Sequence, residues 1–456
     1  MSTTPVAGEF QAKLTAVIPT VVTDPASLEA YRRDHALLAP AGTPLAAVRA
    51  RAVEDVVATI ALCREYGVPL VTRGAGTGLA GAANALDGCV VLSMAGMNRI
   101  LEIDPVARTA RVQPGVINGD LDRAAREQGL WYVPDPGSRA ICSIGGNLAT
   151  NAGGMCCAKY GVTRDHVLTI TAVLGTGEVV HTGRATRKDV VGLDLTRLLI
   201  GSEGTLAVFL EATVRLRPRP ASPATVAATF PTVAAAIESV LELTAGADPA
   251  AVELMDNATV RAVEAHTRMG LDVTAGAVVL AQFDGAGVGG QAAAYSQIAE
   301  RLGAETFATD DPDDGEALMT ARRLAIPALE QLGTILLDDV GVAVHHLPEL
   351  VAAIEAIAVR RGVSIATFGH AADGNLHPTV VFDPADPAAV AAARGAFDDI
   401  LDAGLALGGT VSGEHGIGSL KFGHVEHQIG PVERALMHRV KAAFDPDGIL
   451  NPGRAY

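Results

Sequence analysis

Gly76, Gly78 and Gly81 spell G-x-G-x-x-G straight after a strand-like run at 68–71, and this segment restricts the fold more than any other. A dinucleotide-binding unit of the NAD type needs a helix of about ten residues or more opening from the last glycine. Here an Asp87-Gly88 turn signal comes six residues after Gly81, and another strand-like run, 89–93, follows at once. That helix has no room. Two further segments, 134–154 and 201–206, also set glycines beside small polar residues. Without a Cβ, backbone N–H groups can approach an anion closely and form nests. A structural turn would account for any one of these loops. Three of them wrapping one extended, pyrophosphate-containing ligand would account for all.

The 456 residues suit two or three domains. Apolar residues make up 49% and charged residues 19%, as in a soluble globular protein. A net charge of −16 argues against a nucleic-acid partner, since no excess of Lys and Arg exists to neutralise phosphates. The N-terminus lacks a basic segment followed by an apolar one, and no apolar run approaches the roughly 20 residues of a membrane span. A cytoplasmic location is expected. Cys63, Cys89, Cys142, Cys156 and Cys157 have no spacing suited to zinc or iron–sulfur ligation. Adjacent Cys156 and Cys157 read as small buried thiols or as a redox pair, with the first favoured. Electrons taken from a substrate must then leave through another molecule.

Residues 44–67 carry a helical pattern, with Val53, Val56, Val57, Ile60 and Ala61 on one face and Gly67 as the stop. Strands are expected at 99–103, 109–112, 167–174 and 178–181, and a helix at 117–129. The stretch 134–161 is too irregular for either period. Four prolines in PRPASPATVAATFP mark a domain boundary near 219. Beyond it, helical runs at 233–245, 257–268, 291–302 and 348–361 alternate with strand-like runs at 277–283, 363–368 and 379–382. That alternation suggests an α+β domain with helices covering one face of a sheet. The expected division is 1–218, then 219–409, then a C-terminal segment 410–456.

A second constellation is independent of the glycines. In FGHAADGNLHPTVVF, Asp373-Gly374 is a hairpin turn signal between two strand-like runs. If those two residues form the loop, His370 and His377 face each other directly with Cβ atoms roughly 5 Å apart. Two imidazoles so placed could share a divalent cation. Two histidines satisfied by carbonyls fit the spacing equally well. Further on, SGEHGIG flanks Glu414 and His415 with glycines. On an extended backbone their side chains would point to opposite sides.

The order PLVTRGAGTGLAG, PDPGS, SIGGNLATNAGG, KYG and GSEGTL resembles the FAD-binding domain of the vanillyl-alcohol oxidase superfamily. The likeness continues through ARRLAIPA, FGHAADGNLHP, SGEHGIG and KAAFDPDGILNPG, and is greatest to FAD-linked D-2-hydroxy-acid dehydrogenases of the glycolate oxidase and D-lactate dehydrogenase type. The resemblance implies an α+β protein: a two-subdomain FAD-binding fold with an α+β cap built on an antiparallel sheet.

It also implies which residues do what. FAD would lie against Arg73, Gly74, Ala75, Gly76, Thr77, Gly78 and Leu79 of the first loop. In the second it would meet Pro136, Gly137, Ser138, Gly145, Gly146, Asn147, Thr150, Gly153 and Gly154. Tyr160, Gly161, Glu203, Gly204 and Asn451 complete the set. Some relatives attach FAD covalently through a His in the first loop. Residues 73–79 contain no His or Cys, so FAD is expected to be non-covalent. A divalent metal (zinc, manganese or iron) would be held by His370, His377 and Glu414, leaving positions open for substrate oxygens. His415 would then be the base that takes the hydroxyl proton. Arg322 would bind the substrate carboxylate, with Arg323 as the alternative because the doublet could register either way.

The expected reaction is oxidation of a short D-2-hydroxy acid to a 2-oxo acid, with hydride passing to the flavin. A quinone, an electron-transfer flavoprotein or partner subunits would be the external acceptor, and a homodimer stays open. Relatives acting on D-2-hydroxyglutarate carry a basic residue where Leu337 stands in Leu336-Leu337-Asp338-Asp339, so a monocarboxylate is expected. His345 and His346 could compensate. The alternatives within this reading are a D-2-hydroxyglutarate dehydrogenase and an FAD subunit of a multi-subunit glycolate oxidase. Two other classes compete: a metal-dependent hydrolase using His370, His377, Glu414 and a water, and a non-catalytic FAD-binding or electron-transfer subunit of a larger complex.

Overall fold

The helical pattern at 44–67 divides in two. Ala46–Arg49 is a strand, and the helix runs only over Val53–Tyr66. Ala46, Ala47 and Val48 are all fully buried, and a run of buried apolar residues suits an inner parallel strand as well as a helix. The Asp55 carboxylate accepts the N–H groups of Arg51 and Ala52 at the helix start. Gly67, with φ at 63°, closes the other end.

The computed structural model describes residues 4–186, 188–220 and 223–456. They form two units. One comprises Met1–Gly153, Val162–Arg219 and Glu414–Tyr456, and the other Gly154–Gly161 and Pro220–Gly413. Residues 154–161 therefore group with the cap, as do 410–413, which lie beyond the expected boundary after 409. Thr410 forms a bridge with Gly341 within the cap, and Asp284 of the cap accepts hydrogen bonds from Lys159 and Tyr160.

Besides a short pairing of Leu130–Trp131 with Arg217–Pro218, the first unit holds a four-stranded and a five-stranded sheet. In one, Val90–Ser93 lies parallel to both Ala46–Arg49 and Leu70–Arg73, and Val21–Val22 joins antiparallel at the edge. The other is five-stranded and antiparallel, in the order Ile100–Asp104, Thr109–Val112, Ala207–Arg215, Val167–Leu174, Val179–Gly183. Separate cores lie beneath them, one around Ile60, Leu70 and Leu92, the other around Val112, Ile170 and Val214. No helix separates Gly81 from Val90–Ser93.

The stretch 134–161 is more regular than its sequence suggests. It contains a helix at Ile144–Thr150, with the Ser143 hydroxyl accepting the Gly146 N–H, and one turn at Cys157–Tyr160. Glycines hide the period because they contribute no apolar side chain to count. Gly145 is required by packing: a Cβ there would lie 2.6 Å from the Pro114 Cβ.

The cap is built on an antiparallel sheet in the order Glu305–Thr309, Ala224–Phe230, Ala277–Phe283, Ala251–Asp256, Ser364–His370, Asn375–Phe382, Thr334–Leu337, with Val340–Gly341 beside Asn375–Phe382. Leu254, Val279 and Phe283 are fully buried, each stabilising by about 1.5–3 kcal/mol. Helices at Val233–Gly246, Asn257–Thr267, Val288–Arg301 and Leu347–Arg361 match the expected runs. Helices Pro312–Arg323, Ala325–Glu330 and Pro387–Ala406 and five of the eight strands are additional. Ala-rich helices and short strands give weak periodicity.

The hairpin also departs from expectation. Its loop has four residues, 371–374, and His370 pairs with Asn375 while Phe368 pairs with His377. The register moves by two, so each side chain keeps its face. A slip of one would have turned every side chain over.

Candidate active site

In the first unit the three glycine segments converge at the carboxyl end of strand Leu70–Arg73, where ligands of parallel sheets commonly sit. The Ser143 hydroxyl lies against Gly74 and accepts the N–H of Ala75 as well as that of Gly146. A Cβ on Gly204 would lie 3.6 Å from the Thr72 Cβ, and the Asn451 amide donates to the Glu203 carbonyl at 2.6 Å. Gly76 has φ at 77° and folds its backbone against the Arg73 guanidinium. Burial pulls the Arg73 pKa down, opposed by the charge of Asp34. This glycine-lined cradle of main chain fits a dinucleotide such as FAD.

Several polar side chains expected near the cofactor are engaged within the protein. Asn147 accepts from Asn118 at 3.0 Å, and Thr150 donates to the Gly146 carbonyl at 3.3 Å. Glu203, buried with φ at 52°, accepts the N–H groups of Ile417 and Gly418 at 2.5 and 2.8 Å. Burial pushes its carboxyl above the usual range, opposed by those two bonds and by Arg454 and Lys421. Glu203 thus anchors the segment that carries Glu414 and His415. Tyr160 stands apart from this set: its hydroxyl donates to Asp284 of the cap at 2.6 Å. Pro136 and Ser138 accept backbone bonds from Arg139 and Ile141 in a turn whose Gly137 is exposed.

The backbone around Glu414 and His415 is bent over 413–415 rather than extended. Their side chains do not diverge: the His415 Nε2 lies 3.7 Å from a Glu414 oxygen. The glycines on both sides allow the bend, which an extended reading of the motif missed.

In the cap, one face of the sheet carries the remaining residues. The His370 and His377 rings stand 5.2 Å apart, centre to centre, at an interplanar angle of 85°. Glu253 is the cross-strand partner of His370, and the His370 Nδ1–H donates to its carboxylate at 2.7 Å. The other Glu253 oxygen pairs with Arg322 Nε at 2.7 Å, and the Arg322 guanidinium lies over the Phe368 ring at 4.6 Å. Glu253 is wholly buried, a position that costs a carboxylate several kcal/mol without a partner. Arg322 supplies the opposite charge. The structure brings Arg322 to this cluster and turns Arg323 to an ion pair with Glu316 at 2.7 Å. Asp339, also buried, accepts from the Ser412 hydroxyl at 2.8 Å and lies 3.8 Å from His377 Nδ1.

Sequence reading missed Glu253 and Asp339 as members of this cluster. The signal for Glu253 was available: a single acid at an inward position of the apolar run AVELMD.

Residues 219–455 match the family described as FAD linked oxidases, C-terminal domain, and residues 44–183 match the FAD binding domain. The chain is 40% identical over 420 residues to the glycolate oxidase subunit GlcD of Bacillus subtilis, covering 91% of this chain and 89% of that protein. It is 34% identical over 442 residues to a D-lactate dehydrogenase of Anaerostipes hadrus, covering 93% and 92%. A solved p-cresol methylhydroxylase with substrate bound has a TM-score of 0.82 over 99% of this chain and 97% of that one; at 19% identity this is a likeness of fold.

Proposed function

Because this chain belongs to the FAD-linked oxidase family it is an oxidoreductase, and we propose that it oxidises a short D-2-hydroxy acid to the 2-oxo acid with FAD held non-covalently. The single observation that carries this reading is the cap cluster. Two adjacent imidazoles and a buried guanidinium share one sheet face, as binding a hydroxyl and a carboxylate on neighbouring carbons requires.

In this reading His370, His377 and Glu414 hold a divalent cation. With the Nδ1–H of His370 given to Glu253, its Nε2 is the nitrogen with a lone pair for a metal. Two imidazoles and a carboxylate suit zinc, manganese or iron, and leave positions open. A divalent ion held there would supply Lewis acidity toward the substrate hydroxyl. Arg322 receives the substrate carboxylate through its terminal nitrogens, since Nε faces Glu253. His415 takes the hydroxyl proton. FAD, when bound, accepts the hydride. The reading requires an electron acceptor outside the chain (a quinone, an electron-transfer flavoprotein or partner subunits), as no cysteine spacing suits a cluster. Among the described residues no helix is long and apolar enough to cross a membrane.

A monocarboxylate is the proposed substrate class. Leu337 is buried and cannot pair with a second carboxylate, and Asp338 and Asp339 beside it are buried acids. Anaerobic D-lactate or glycolate should bleach the flavin absorbance, and denaturation should release free FAD. D-Lactate should exceed D-2-hydroxyglutarate in kcat/KM. Flavin that stays on the denatured chain refutes non-covalent binding, and a clear advantage for the dicarboxylate refutes the substrate class.

A further inference from the structure

Glu253 lies 117 residues before His370 in the chain yet touches it and Arg322 at once. One carboxylate oxygen accepts the imidazole Nδ1–H at 2.7 Å, and the other forms an ion pair with the guanidinium, 2.7 Å from its Nε. The first contact selects the tautomer of His370 that leaves Nε2 as the ligand atom. The second contact, with Phe368 beneath the guanidinium, holds the Arg322 fork on the same sheet face. We infer that Glu253 is a positioning residue that sets the metal ligand His370 and the carboxylate-binding Arg322 at a fixed separation, and so matches the cap to a substrate whose hydroxyl and carboxylate sit on adjacent carbons. The inference rests on the reading of His370 as a metal ligand.

Two groups held against opposite oxygens of one buried carboxylate, one by a hydrogen bond and one by an ion pair, are positioned together. Changing Glu253 therefore disturbs both. The burial of Glu253 supports this role, because water cannot replace either contact cheaply.

The test uses the full-length, FAD-loaded chain stripped of metal with a chelator and titrated with manganese(II) and zinc(II). Glu253→Gln keeps the size and one acceptor but removes the charge. Its metal affinity should fall about 10–100-fold, as for other outer-shell partners of ligating histidines. KM for D-lactate should rise with it, while the flavin-to-protein ratio stays at the wild-type value. Wild-type metal affinity and KM in this variant overturn the inference. If the single variant does not fold, Glu253→Gln with Arg322→Met removes both buried charges together. Unchanged metal affinity in that pair is equally fatal. A wild-type chain that binds neither ion overturns the metal reading itself, and that result comes from a separate arm of the titration.

Discussion

The glycine cradle of the first unit and the sheet face of the cap both present groups to small polar ligands, but they do so by opposite means. The cradle relies on main chain. Its polar side chains, such as Asn147, Thr150 and Glu203, are bonded within the protein, and the glycines let the backbone come close. The cap relies on side chains that stand on paired strands, where His370, Glu253, Phe368 and His377 keep one face. Main-chain cradles tolerate side-chain change but not added bulk or lost left-handed freedom. Side-chain clusters on a sheet tolerate neither truncation nor a register shift of one.

The sharpest way to break this contrast is His370→Ala or His377→Ala. Either change should abolish turnover with D-lactate and release the bound divalent ion, as measured by elemental analysis. Flavin should stay at the wild-type ratio, since both histidines lie in the cap. Flavin lost together with the metal would show that the two regions do not act separately.

His415→Ala should have a smaller effect, lowering kcat by a factor on the order of 10²–10⁴ with metal content unchanged. Steady-state kinetics and metal analysis on the same preparation check this. The imidazole lies only 3.7 Å from the Glu414 carboxylate, so the two roles are close in space. Metal loss in this variant, or a wild-type rate, would reverse the assignment.

The mildest change probes the cradle alone. Gly76→Ala places a side chain in left-handed backbone and against Arg73, and should cost about 1–2 kcal/mol. The flavin-to-protein ratio and the thermal midpoint should both fall, while metal affinity stays put. A variant that keeps its flavin and loses metal would contradict the division.

Much of the cradle was legible because glycine is informative in itself. Three clusters of it with no room for a helix after Gly81 point to one wrapped ligand before any fold is known. The helix at Ile144–Thr150 was hidden by the same residues, since glycine leaves no period to read. In the cap, the strands carrying the histidines were visible from their turn. The four-residue loop was not, because Asp-Gly also fits a tighter one. The two histidines still share a face, since a register error of two conserves it.

The chain by itself determined the left-handed turns, the apolar runs and the pairing of two nearby strands, all of which depend on residues close in sequence. It also set two arginines, Arg322 and Arg323, side by side without saying which faces inward. Only the tertiary structure decided that Arg322 meets Glu253 while Arg323 turns to Glu316, and that Glu253 lies beside His370. Strand Ala251–Asp256 finds Ser364–His370 across more than a hundred residues, and nothing local encodes that choice. The pairing follows from burying whole sheet faces together, a sum over the cap that no short segment carries.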